Sequence, residues 1–176
     1  MRYRRSKATG ASYFFTVNLA NRQSDCLVRH IETLREITRT VKNSHPFAIE
    51  AMVVLPDHIH AIWRLPENDA DYPVRWSLIK AGFSRQLEKA EFIRPSRQSK
   101  RERGIWQRRY WEHQIKDDLD FERHVDYIHY NPVKHGYAKQ PIDWPFSSVH
   151  RYVRTGVLSA HWGADLILEE IICGER

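Results

Sequence analysis

Residues 47–65 limit the fold more than any other stretch of this chain. Phe47 to Leu55 (FAIEAMVVL) and His58 to Leu65 (HIHAIWRL) are apolar and β-branched, and only Pro56-Asp57 separates them. Two such runs around a tight turn signal predict a β-hairpin, and so an antiparallel sheet. Tyr13 to Ala20 (YFFTVNLA) predicts a further strand before it. Between the two, Leu27, Ile31, Leu34, Ile37 and Val41 recur three or four apart, which predicts a helix over 27–43 stopped by His45-Pro46. After the hairpin, Trp76, Ile79, Phe83 and Leu87 predict a helix within 74–92. Residues 94–104 read as a flexible loop, and 105–115 as a short strand or irregular chain. Asp117 to Tyr130 is helical, with Asp117 or Asp118 as the N-cap, Asn131-Pro132 ending or bending it and Gly136 nearby as a C-cap. A short helix within 144–154 and a terminal helix over Asp165 to Cys173 complete the pass. The order β-α-β-β-α-β-α predicts an α+β fold: a ferredoxin-like antiparallel sheet with helices on one face. We read 1–12 as a basic arm, 13–155 as one domain and 156–176 as a tail.

Charge narrows the range of partners. Residues 94–109 hold seven bases and one acid, which equals the +6 net charge of all 176 residues. Arg2, Arg4, Arg5 and Lys7 form a second basic group with no acid beside it. Local excess on an otherwise balanced chain points to a polyanion, most often nucleic acid; the plainer alternative is a solvated loop. No apolar run approaches a membrane span, and the basic N-terminus leads into no apolar signal region. Two cysteines, Cys26 and Cys173, exclude a disulfide framework and indicate a reducing, cytoplasmic setting.

His58-Ile59-His60 is the first chemical signal. Residues two apart on a strand share a face, so two imidazoles project side by side as a ready pair of metal ligands, with Asp57 able to orient one of them. The plainer reading is strand decoration, since the chain has ten histidines. Tyr127 and Asn131 are one turn apart on the predicted helix, so a hydroxyl and an amide oxygen reach one spot; the plainer reading of Tyr127 is a core aromatic. Two imidazoles with one amide oxygen suit Mg²⁺ or Mn²⁺ better than a closed zinc site. A tyrosine nucleophile, a divalent ion and a polyanion-binding stretch together suggest chemistry on a nucleic-acid phosphodiester.

The segments Val53-Val54-Leu55-Pro56-Asp57-His58-Ile59-His60, Trp106 to His113 (WQRRYWEH), Asp126 to Gly136 (DYIHYNPVKHG) and Trp144-Pro145-Phe146-Ser147-Ser148 resemble one family. It is the REP-associated tyrosine transposases, IS200-like relatives of the single-tyrosine transposases with a His-hydrophobe-His (HUH) motif. The resemblance runs from about Tyr13 to about Tyr152. It implies a metal-dependent single-stranded DNA endonuclease and strand transferase. Tyr127 would attack a DNA phosphate to give a 5′-phosphotyrosine and a free 3′-OH. His58 and His60 match the HUH ligands, and Asn131 stands where related enzymes place a third ligand on a helix, often Gln. The implied substrates are repetitive extragenic palindromes, short hairpins beside single-stranded DNA. A nucleoid-associated protein in the cytoplasm follows, with a monomer expected and a dimer left open. Arg2, Arg4, Arg5, Lys7, Arg101, Arg103, Arg108, Arg109, Lys134 and His135 are candidate DNA contacts. Trp106, Tyr110 and Trp111, interleaved with arginines, are candidate base-stacking rings, at least one of which is expected in the core. Tyr130 is the reserve nucleophile. A hairpin-binding protein without cleavage is the alternative function, and a hydrolase of another phosphodiester a third.

Overall fold

The computed structural model describes residues 8–100 and 102–164. Strands β1 (Ser12–Asn18), β2 (Ala48–Val54), β3 (His58–Arg64) and β4 (Trp111–Gln114) form an antiparallel sheet in the order β2-β3-β1-β4. The hairpin forms as expected, its turn closed by the Leu55 N–H on the His58 carbonyl at 2.9 Å. Helices α1 (Cys26–Arg29) and α2 (Ile31–Ser44) cross from β1 to β2, and α3 (Tyr72–Gln86) follows β3. The expected 27–43 helix is thus broken at His30, whose φ and ψ (−112°, 36°) leave the helical range. The Leu27 N–H, free in the first turn of α1, meets the Pro56 carbonyl of the hairpin turn at 3.2 Å.

Alternation along each strand builds two cores. Tyr13, Phe15 and Val17 of β1 with Ile59, Ala61 and Trp63 of β3 meet α2 and α3 through Leu34, Val41, Trp76, Ile79 and Phe83. Trp63 stacks on Trp76 with ring centroids 4.1 Å apart. Phe14, Ala51, Val53 and Ile62 point to the opposite face, where Val125, Tyr127 and Ile128 of α5 (Asp118–Lys134) cover them. The antiparallel α+β plan is as expected, with one correction. Helices α2 and α3 share a face, but α5 packs on the other. Phe14 and Ile62, with Ala51 and Val53 of β2, create that second apolar surface, which an exposed sheet face would leave in water.

Helix α5 starts where the Asp117 carboxylate accepts the Asp120 N–H at 2.8 Å. Asp118 and Asp120 sit in its first turn and Lys134 in its last, matching the helix dipole. Pro132 lies inside the helix rather than ending it. Asn131 and Pro132 are buried, so packing outweighs the local penalty on the residue before proline. The helix stops at Gly136, whose φ of +73° favours glycine.

Helix α3 ends at Gln86, short of the expected 92. The basic segment is not an open loop: α4 (Pro95–Gln98) forms within it, and the Glu102 N–H meets the Arg97 carbonyl at 2.9 Å. A one-turn 3-10 helix (Pro141–Asp143) and α6 (Val149–Arg154) follow α5. Residues 8–11 are tied down, with the Gly10 N–H on the Asp69 carbonyl. The proposed terminal helix over 165–173 and most of the basic arm lie outside the described residues. No helix among the described residues is long and apolar enough to cross a membrane.

Candidate functional site

The site forms where the α5-facing side of the sheet meets α5. His58 and His60 project there from β3, opposite Asn18 and Thr16 of β1 in register. Their rings lie 4.8 Å apart, nearly perpendicular at 85°. Each is anchored through Nδ1: His58 to Asp57 Oδ1 at 2.7 Å, His60 to Thr16 Oγ1 at 2.9 Å. Nε2 is therefore the nitrogen each would offer to an ion. Arg22 Nε holds the other Asp57 oxygen at 2.8 Å and its guanidinium also reaches Asn18. Burial pushes the His60 pKa well below the usual imidazole range, and His58, His135, Lys134 and Arg22 push the same way. His60 is thus the neutral form that ligates metals.

Helix α5 brings the rest. The Tyr127 ring meets His60 edge-on at 5.2 Å and Phe14 at 5.9 Å. Lys134 lies over that ring at 4.7 Å and donates to the Tyr127 hydroxyl at 3.4 Å. Tyr127 is 1% exposed. Asn131, one turn further on, is fully buried, and among the described residues neither atom of its amide has a hydrogen-bond partner. A buried amide left so is costly, and a cation would satisfy its oxygen. Two imidazole nitrogens and one amide oxygen are donors of the kind that suits a divalent ion. His135 stands 5.2 Å from His58 on the outer side.

A cavity of about 470 Å³ opens onto the pair. The rings of His58, His60, Trp111 and His135 line it, with the polar side chains of Thr16, Asn18, Arg22 and Gln107. Tyr127 and Asn131 do not line this cavity; Tyr127 stands behind His60. Tyr130, the reserve nucleophile, points elsewhere and packs beside Gly163. His129 likewise turns away, to Ser148 at 2.9 Å.

The candidate DNA contacts separate into classes. Trp111 is exposed (36%), but Trp106 is 5% exposed, packs on Phe83 and donates to the Lys80 carbonyl, so it is core. Tyr110 is half-buried against Trp76. Arg103 serves the protein itself: it donates to the Ser84, Leu87 and Glu88 carbonyls at the end of α3 and pairs with Glu91. Arg108 pairs with Glu102 at 2.7 Å and donates to the Ser96 carbonyl. Arg109, Lys134 and His135 are exposed. Arg2, Arg4, Arg5, Lys7 and Arg101 lie outside the described residues.

Several contributors escape sequence reasoning. Thr16 and Asn18 carry a faint signal, since they share a strand face with Phe14 and pair with the two histidines once the strand register is known. Arg22 and Gln107 carry none. A second group was also missed: His113, Asp120 and His124 each place one ligand atom within 4.8 Å of the others.

Known proteins resemble this chain closely. The family described as Transposase IS200 like matches residues 9–131. A protein of Haemophilus influenzae is 45% identical over 164 residues, 93% of each chain. The REP-associated tyrosine transposase of Escherichia coli K12 is 44% identical over 174 residues, 99% of this chain and 96% of that one. A solved structure of a REP-associated tyrosine transposase bound to a REP hairpin superposes with a TM-score of 0.82 at 42% identity, covering 100% of this chain and 98% of that one.

Proposed function

Because this chain belongs to the IS200-like transposases, and among them to the REP-associated tyrosine transposases, we propose that it nicks and joins single-stranded DNA beside REP-type hairpins through a 5′-phosphotyrosine on Tyr127. The relative solved with a REP hairpin supports the hairpin as partner. The observation that carries the cleavage reading is the convergence of the His58, His60 and Tyr127 rings.

His58, His60 and Asn131 would hold Mg²⁺ or Mn²⁺. That ion, when bound, polarises the scissile phosphate and steadies the departing oxygen. The Tyr127 oxygen attacks phosphorus, the P–O3′ bond breaks, the phenol proton leaves to solvent and the 3′ oxygen takes one up. The bond energy is kept in the phosphotyrosine, so a second 3′-OH can reverse the step. Lys134, beside the phenol oxygen, favours the phenolate. Asp57 and Arg22 hold His58 in its ligating orientation. Trp111, at the mouth of the cavity, offers a face for an unpaired base. In this reading the basic arm, 1–12, and Arg101 meet the DNA backbone, the protein acts at the nucleoid in the cytoplasm, and it acts as a monomer.

The second reading, hairpin binding without cleavage, draws on the burial of Tyr127, since attack needs an oxygen that a phosphate can reach. A labelled hairpin with its single-stranded flank separates the two. Wild type with Mn²⁺ is expected to form an adduct that survives SDS, and Tyr127→Phe to form none. Adduct in the Tyr127→Phe variant removes the nucleophile assignment. Hairpin binding by wild type with no adduct selects the second reading.

A further inference from the structure

Beyond Phe14 lies a constellation that the cleavage chemistry does not use. Asp120 and His124 stand one turn apart on α5, and His113 faces them from β4. His113 Nε2 is 2.8 Å from Asp120 Oδ2. His124 Nδ1 is 2.7 Å from the Asp120 carbonyl oxygen and 3.1 Å from Oδ1. The two imidazoles stack 4.8 Å apart at 15°. The Phe14 ring stands between this group and the first site, 4.7 Å from His124 and 5.6 Å from His60.

The protonation states suit a cation. Burial raises the Asp120 pKa, but the His113 hydrogen bond and the Lys116 N–H outweigh it, so the carboxyl is held below its usual range and charged. Burial lowers the His124 pKa, leaving a neutral ring. Two imidazoles and one carboxylate make a three-ligand set with a fourth position for water, as d-block ions prefer. The oxygen-rich cage that Ca²⁺ needs is absent from these three residues.

We infer that His113, Asp120 and His124 form a second cation site, for a divalent d-block ion of the zinc class, which ties β4 to the first turns of the helix that carries Tyr127. Where a ring proton now faces Asp120, it moves to the other nitrogen of that neutral ring as the ion takes its place. The ion stabilises the folded chain by mass action and restrains α5 at its N-terminal end, away from the phosphate. The site stands whether or not the chain cleaves DNA.

Co²⁺ is the probe, used on the full chain with His58→Ala and His60→Ala so that the first imidazole pair is gone. One bound equivalent with visible d–d absorption is expected, together with a rise in Tm. Adding His113→Gln or Asp120→Asn is expected to abolish both. No Co²⁺ bound to the double-alanine protein overturns the assignment, as does a d–d band that survives both further substitutions. Should those variants unfold, a zinc-edge anomalous map of the double-alanine protein decides. A peak between the three side chains is expected, and a map without one overturns the site.

Discussion

Lys134 Nζ lies 3.4 Å from the Tyr127 hydroxyl and over the same ring, two turns along one helix. A cation so placed favours the phenolate. Lys134→Gln is expected to slow adduct formation about tenfold and to move its pH optimum upward, while hairpin affinity changes little; about tenfold is about 1.4 kcal/mol of barrier. Rates of SDS-stable adduct across pH check this. An unchanged profile would refute the role of Lys134 at the phenol.

Buried Asp57 is the partner of His58 Nδ1 and is itself braced by Arg22. Losing such an outer partner costs roughly 10–100-fold in metal affinity. Asp57→Asn should therefore weaken Mn²⁺ binding by about that factor, and Arg22→Ala by less, in a titration followed by calorimetry. Equal affinity in Asp57→Asn would refute the orienting role.

Two tryptophans five residues apart should behave oppositely. Trp111 is exposed at the cavity mouth, and Trp106 is core. Trp111→Ala is expected to weaken binding of the single-stranded flank by about 1–3 kcal/mol with little change in Tm. Trp106→Ala is expected to destabilise the fold by about 3–5 kcal/mol. Melting curves and flank-length binding series separate them.

The arginines divide in the same way. Arg109 is exposed, whereas Arg103 closes the end of α3. Removing one phosphate contact lowers the salt slope of binding by about one. Arg109→Ala should do so without loss of stability; Arg103→Ala should lower the Tm and leave the slope as it was.

His129 predicts acid sensitivity. Burial, with Arg151 and His150 pushing the same way, lowers its pKa to about 3. The unfolded chain protonates this residue near pH 6.5, so between the two values it binds one proton more than the folded chain. Stability is complete above about pH 6.5 and falls, from this group, by up to about 1.4 kcal/mol per pH unit toward pH 3. His129→Gln, which can still meet Ser148, should flatten that slope in urea titrations.

Local pattern alone determined much of this protein. Alternation in 47–65 specified the hairpin and put His58 and His60 on one face, because side chains on a strand alternate whatever surrounds them. Helical spacing likewise paired Tyr127 with Asn131. The uninterrupted passage through Pro132 was hidden, since local rules argued for a stop and burial overrode them. Arg103 looked like a phosphate ligand because a basic run does not reveal which guanidinium finds a carbonyl cluster. Which face α5 covers, which tryptophan of 106–111 meets water, and that Thr16, Asn18, Arg22 and Gln107 share a cavity with the histidines were decided only by tertiary packing. Those facts depend on strand order and register between segments far apart in sequence, and no short-range periodicity encodes them.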